Sequence, residues 1–360
     1  MTTFETLPLS RRSILKSGAA MAGAAALSGM GAGSAFAAEE IRIIMSGGSW
    51  GEWVDKTFAT PYTEATGIKF SWKYALSQEP LVMAQKSRPQ WDMMQSGQMR
   101  AGQLGAMGLY NKLTEENLPN LAGIHPSFRY DYLAGKCHTP YGLCVNTKHI
   151  TRPITSWDDL WDPEFKGRVA FPDWGWNGDE VFYALNQVFG GTSENIDPGI
   201  AKLKALFVEN GAIIANNVEH TKQLLESGEV WLMPYFGGRT KKIAEGGVPV
   251  EFVIPKEGGL SWIFNFASIA GRPDDSTARA YKFLDTTLDA ENQITFAKLT
   301  GYPPTNKEAM ANLPPELAHL KLSEDDVGLL GKLQSQLDPM VLFAYRDQYA
   351  ERWRKEVIGA

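Results

Sequence analysis

An α/β protein of two lobes is what the sequence predicts, on three observations. From Ile41 to Met107 short apolar runs alternate with stretches of helical period, the pattern of a mainly parallel sheet flanked by helices. The same alternation restarts at about Gly167 and continues to Ile254. The roughly 320 residues beyond the N-terminal segment are long for one hydrophobic core and comfortable for two.

That N-terminal segment is read first. Ser10-Arg11-Arg12-Ser13-Ile14-Leu15-Lys16 precedes an Ala/Gly/Met-rich run from Ala19 to about Ala35, which ends in Ala35-Phe36-Ala37. A basic stretch, an apolar stretch and a small-x-small site make a secretory signal peptide over residues 1–37, cleaved near Ala37. The paired arginines point to the twin-arginine translocation machinery as the partner of this leader, and to the periplasm as the destination. A membrane anchor is the weaker reading, because Ser28 and Ser34 interrupt the run and a spanning helix needs about 18 apolar residues.

The elements follow in order. Ile41–Met45 is a strand, Ser46-Gly47-Gly48-Ser49 a turn, and Glu52–Ala65 a helix stopped by Gly67. Ile68–Tyr74 alternates as a strand, Glu79–Lys86 and Met99–Met107 have helical spacing, and Trp91–Gln95 is a strand between them. Tyr130–Asn146 predicts two extended runs joined through Gly135-Lys136, where the chain leaves the first lobe. In the second lobe Gly167–Phe171, Ala212–Ala215, Glu229–Tyr235 and Glu251–Ile254 read as strands. Asp179–Phe189, Gly199–Asn210, Thr221–Ser227 and Gly238–Glu245 read as helices. Ser261–Ala270 is apolar and long enough to cross back, and Thr277–Leu299 reads as two helices broken near Asp289. Ser323, with acids behind it, caps a late helix, and an amphipathic helix over about Pro339–Val357 closes the chain. The lobes are therefore expected at 38–145 plus about 265–302, and at 146–264 plus about 303–360.

Composition narrows the function. The formal charge is −6, and the leader removes Arg11, Arg12 and Lys16 against Glu5, so the remainder is more acidic still. That argues against a nucleic-acid or anionic-membrane partner. The sequence holds 11 tryptophans. Cys137 and Cys144 lie in the expected hairpin; an oxidising compartment invites a disulfide between them, and two buried thiols that never meet are the alternative. The five histidines are scattered without ligand spacing, so no metal and no cofactor are expected.

Several segments together resemble the periplasmic solute-binding proteins of ABC importers, in particular the spermidine/putrescine-binding branch. They are Trp50-Gly51-Glu52-Trp53-Val54, Tyr62–Lys69, Trp91–Ser96, Pro140–Asn146, Ser156–Pro163 with Lys166-Gly167-Arg168, Ile254–Gly259 with Trp262, and Gly301–Asn306. The resemblance spans nearly the whole chain after the leader. It implies the two-lobed type II periplasmic binding fold, with a ligand cleft between the lobes and closure on a small-molecule solute. It implies a membrane permease as partner and no chemistry. A monomer is expected.

Carried over position by position, the resemblance puts ligand contacts at Trp50, Trp53, Ser96, Gln98, Glu180, Tyr235, Trp262 and Tyr302. Trp176 joins them as a tryptophan beside glycines at a strand end, where open α/β sheets place ligands. An aromatic box with a carboxylate suits a cation, since ring faces attract ammonium groups by up to ~2 kcal/mol once water is excluded. Gln98 stands where polyamine binders tend to carry a tyrosine, and two acidic positions depart from the pattern. The second acid of the family's pair falls on Asn177. The acid expected after Trp262 falls on Phe264, with Asn265 beside it as a substitute contact. Arg239, four residues after Tyr235, offers a guanidinium for a carboxylate or phosphonate. A solute with an amine and an acidic group thus competes with a polyamine. The alternative function is an exported Trp-rich carbohydrate-binding or glycan-active protein, although no Gly-x-Ser-x-Gly, phosphate loop or His-Glu-x-x-His occurs.

Overall fold

The described residues form the strands β1 Glu40–Met45, β2 Lys69–Tyr74, β3 Met93–Gly97, β4 Cys137–Asn146, β5 Ala170–Pro172, β6 Ile213–Ala215, β7 Leu232–Phe236, β8 Val250–Val253 and β9 Leu260–Ser268. They come from a computed structural model that describes residues 39–75 and 78–359; the leader lies outside the described residues. The chain divides into two compact units, His138 and the residues before it with Ile263–Lys321, and Thr139–Trp262 with Leu322 onward.

In the first unit β1 pairs in parallel with β2, from Glu40↔Lys69 to Met45↔Tyr74, and with β3. The β9 strand runs antiparallel to β3, with Ser96 opposite Asn265 and Gly97 opposite Phe264. Ile41, Ile43, Ile44 and Met45 are wholly buried, so β1 reads as the apolar run of a strand covered on both faces. The expected helix Glu52–Ala65 is present but not regular. It runs as Ser49–Val54, a wider turn over Asp55–Ala59, and Thr60–Thr66. Pro61 has no N–H to give the preceding turn, which relaxes into the wider form. Gly67 then closes the helix at φ 76°, the left-handed position that glycine adopts without strain.

The second unit corrects one expectation. It is mixed rather than mainly parallel: β5 pairs in parallel with β6, while β7 and β8 both pair antiparallel with β4. The antiparallel members, β4 here and β9 in the first unit, are the strands within which the chain passes from one unit to the other. One part of this unit's core is aromatic, with Phe171, Phe207 and Trp174 set around a buried Trp353, and another is mainly aliphatic, with Leu224, Leu225, Val230, Met233 and Val250.

A second correction concerns residues 130–146. The second extended run is present as β4, one strand with all ten residues buried, but residues 130–136 form a turn bridged by Arg129 and Ala134 and not a partner strand, so no hairpin forms. Cys137 and Cys144 are free and buried. Seven residues of extended strand at about 3.3 Å each hold them more than about 20 Å apart, far beyond the reach of a disulfide.

The unit boundaries also differ from those expected. The crossings fall at His138/Thr139 and Trp262/Ile263, each a few residues early, and at Lys321/Leu322, well after 302. The last difference has a clear cause. Gln293 Oε1 accepts from the backbone N–H groups of Thr305 and Asn306, at 2.7 and 2.9 Å. Asn306 Nδ2 donates to the Leu288 carbonyl at 2.9 Å, and its Oδ1 accepts from Glu308 N to start the helix Lys307–Ala311. Leu317 and Leu320 then pack on Ala297. Residues 301–321 are thus tied to the first unit by buried polar and apolar contacts alike. The break at Asp289 and the cap at Ser323 are present, with side chains accepting from Asn292 N and Asp326 N.

Candidate functional site

The residues singled out from the sequence gather into two aromatic groups, one in each unit. In the first, Trp50 lies in the short helix after β1, half-buried at the centre of a ring cluster. Its indole meets Trp53, Phe264, Phe296 and Tyr302 edge-on, with centroids at 6.4, 5.4, 5.8 and 5.6 Å. Such edge-to-face pairs put a positive ring edge on a negative face.

Under this cluster lies a residue that the sequence did not flag. Lys136 is fully buried. Its Nζ stands 4.9 Å from the centroid of Trp50, 4.8 Å from that of Phe266 and 5.7 Å from that of Phe296, without a hydrogen-bond partner among the described residues. Its position is fixed by the backbone. Lys136 N donates to the Phe264 carbonyl at 3.1 Å, and the Gly135 carbonyl accepts from Gln293 Nε2 and from the Thr305 hydroxyl. A Cβ on Gly135 would meet Ile263 at 2.5 Å, so only glycine lets the chain pass here. Burial pulls the ammonium down to about 8, with a small opposing influence from Cys137. The cage expected to take a ligand's amine in this unit therefore already holds one.

Three expected contacts of the first unit are buried within it. Asn265 has its Nδ2 donating to the Ala134 carbonyl and to Thr287 Oγ1, each at 2.9 Å. Strand alternation explains this: β9 turns Phe264 toward Trp50 and so directs Asn265 the opposite way. Asn265 is thus removed from the contact set. Gln98 is buried, and its Oε1 accepts from Ile263 N at 2.9 Å, tying the helix Gln98–Ala106 to β9. Ser96 is buried on β3, at 4 % exposure.

In the second unit Tyr235 on β7 and Trp262 at the start of β9 are both buried, at 1 % and 7 % exposure. Trp262 packs on Tyr141 at 4.6 Å and on Phe236 at 5.4 Å; Tyr235 meets Phe236 at 5.8 Å and the half-buried Trp176 at 6.4 Å. Tyr141 donates to the Pro234 carbonyl at 3.1 Å, closing the group from β4. Burial raises the Tyr235 phenol to about 12, with the Arg239 guanidinium opposing. Arg239 itself is exposed on the helix Gly237–Glu245 and sits 5.9 Å over Phe236. Trp176 and Asn177 form the turn before the helix Asp179–Val188, and Asn177 takes the left-handed conformation at φ 69°. Its Nδ2 is buried without a partner among the described residues. Glu180 is half-buried in the first turn of that helix, where the macrodipole favours an acid.

The model of bacterial extracellular solute-binding proteins matches residues 57–321. The chain belongs to that family. A spermidine/putrescine-binding periplasmic protein of Salmonella typhimurium is 26 % identical over 318 residues, covering 84 % of this chain and 89 % of that one. Among solved structures, an ABC transporter protein from Clostridium perfringens superposes with a TM-score of 0.72 at 20 % identity, over 88 % of this chain and 99 % of that one. A protein described as a GABA receptor superposes at 0.70 with 22 % identity, over 89 % and 98 %. These likenesses give this solute-binding protein the α/β fold of periplasmic substrate-binding proteins. They lend no support to the glycan-active alternative.

Sequence reasoning missed Lys136, Tyr141, Phe236 and Phe296 in this family member. Lys136 was hidden because Gly135-Lys136 reads as a turn, where a lysine is expected in water. The signal available was the apolar run behind it, which one buried strand explains as well as a hairpin does.

Proposed function

We propose that this protein is the periplasmic solute-binding component of an ABC importer. It captures a small amine-containing solute, polyamine-like or amino-acid-derived, and releases it to a membrane permease without chemical change. The observation that carries the reading is the aromatic group of the second unit, in which the half-buried Trp176 and Phe236 present rings for cation–π contact and the buried Tyr141, Tyr235 and Trp262 pack behind them. Glu180 supplies the acid for an ammonium group. In the first unit the contacts are Trp50, Trp53 and Tyr302. The names of the relatives agree with this class of solute, since one binds spermidine and putrescine and another is a GABA receptor.

A thermal-shift panel of polyamines, betaines, amino acids and phosphonates tests the proposal. Binding to the native state alone raises stability by RT ln(1 + [L]/Kd), about 2.7 kcal/mol at a hundredfold excess over Kd. If no amine-containing solute moves the melting temperature, the proposal fails. The leader reading, with export by the twin-arginine route and cleavage near Ala37, is tested by N-terminal sequencing of the exported protein and by replacing Arg11 and Arg12 with lysine. Cytoplasmic retention of the substituted protein is the expected outcome. Size-exclusion chromatography with light scattering checks the monomer.

A further inference from the structure

We infer that Lys136 makes the first unit's aromatic group a receptor for the acidic end of the solute, not for an amine. The inference rests on the solute-binding reading above and adds a charge rule to it.

Trp50 is the ring through which a solute would meet this unit, being half-buried and joined to the half-buried Trp53 and Tyr302. The Lys136 ammonium already lies 4.9 Å from its centroid, so the attraction that the ring offers to a cation is in use. Around Nζ are the Trp50, Phe266 and Phe296 rings, and none of them neutralises it. Trp50 Nε1 is likewise a buried donor without a partner among the described residues. Two unpaired donors on one ring system leave a positive potential that an acceptor relieves and a second ammonium aggravates. Phe264, where the family resemblance places an acid, puts a ring against Trp50 and adds no negative charge. At an effective dielectric of about 20, unit charges roughly 10 Å apart across one ring interact by somewhat more than a tenfold change in affinity. The sign favours a carboxylate and opposes an ammonium.

The test uses calorimetric binding of 4-aminobutyrate, with one ammonium and one carboxylate, and of putrescine, with two ammonium ends. The wild-type protein is compared with Lys136→Met and Lys136→Gln, two neutral replacements of different polarity. The wild type is expected to bind 4-aminobutyrate far more tightly than putrescine, and both variants to reduce that ratio about a hundredfold, because the lysine charge acts by somewhat more than tenfold on each solute and in opposite senses. Wild-type preference for putrescine, or an unchanged ratio in a variant that binds, overturns the inference alone. Failure of the wild type to bind either solute, or any other amine in the thermal-shift panel, overturns the amine-solute reading and this inference with it.

Discussion

Replacing Lys136 with methionine is expected to stabilise the unliganded protein, and to do so by an amount that depends on pH. An ordinary lysine titrates at 10.5, and burial among the Trp50, Phe266 and Phe296 rings brings this one to about 8. Every tenfold loosening of the amine's hold on its proton is worth about 1.36 kcal/mol, so charging the buried amine costs about 3 kcal/mol of folding stability. The folded state is the one that holds the proton less tightly. Below about pH 8 both states are charged and the full cost applies; between 8 and 10.5 only the unfolded chain keeps the proton, so stability rises with pH; above 10.5 the cost is gone. The methionine variant carries no such cost and fills similar volume, in line with buried ions that hydrophobic side chains replace without loss. Urea unfolding of both proteins at about pH 7, 8.5 and 10, extrapolated linearly to water, gives the difference at each pH. Other titrating groups are common to both and drop out; the Cys137 thiol, which burial lifts to about 12 against the opposing charge of Lys136, stays neutral in both folded proteins at these pH values. The advantage of the variant should shrink by about 2–3 kcal/mol from pH 7 to 10. A difference that stays flat over this range would refute a dry, charged lysine in the first unit.

Trp262→Ala should cost the unliganded protein about 3 kcal/mol or more, because the indole is 7 % exposed and wedged between Tyr141 and Phe236; an unchanged urea midpoint would mean the ring is not part of the core. Asp285 is buried and accepts from Asn120 N and Nδ2 at 2.8 and 2.9 Å, and burial raises it to about 6. An acid raised in the folded state stabilises at low pH and loses that contribution as pH climbs through about 6. Wild type should therefore gain about 2–2.5 kcal/mol on Asp285→Asn between pH 7 and 4, measured by urea unfolding. Thiol titration should find no reactive cysteine in the native protein and two after denaturation without reductant, and a single disulfide would contradict the continuous β4 strand.

Much of the fold was legible because its signals are local. The apolar run Ile41–Met45, the stop at Gly67, the acid-backed cap at Ser323 and the break at Asp289 each depend on neighbours a few residues away. The return strand was legible because Ser261–Ala270 is too long and apolar for a loop. The hairpin at Gly135-Lys136 failed because a glycine with a lysine is turn chemistry, and only tertiary packing shows why a glycine must stand there. Position along the chain gave the aromatic neighbourhoods, but not the direction of each side chain. Phe264 and Asn265 are adjacent, and strand alternation gives one to the ring cluster and the other to Thr287. The buried ammonium was illegible for a simpler reason: its partners, Trp50, Phe266 and Phe296, are drawn from three distant segments.

That dispersal governs the order in which the protein can assemble. In the first unit β3 pairs with β9, joining Gln95 to Phe266 across the whole of the second unit's sheet-forming sequence. Closing so long an excursion costs chain entropy before any contact rewards it, and pairings of this range slow folding. A ribosome that has delivered residues up to His138 has released Lys136 but neither Phe266 nor Phe296 to enclose it. The N-terminal half on its own is thus a chain with an unmet sheet edge and a lysine still in water. The first unit becomes a folded body only after the long first segment of the second, Thr139–Trp262, has been made.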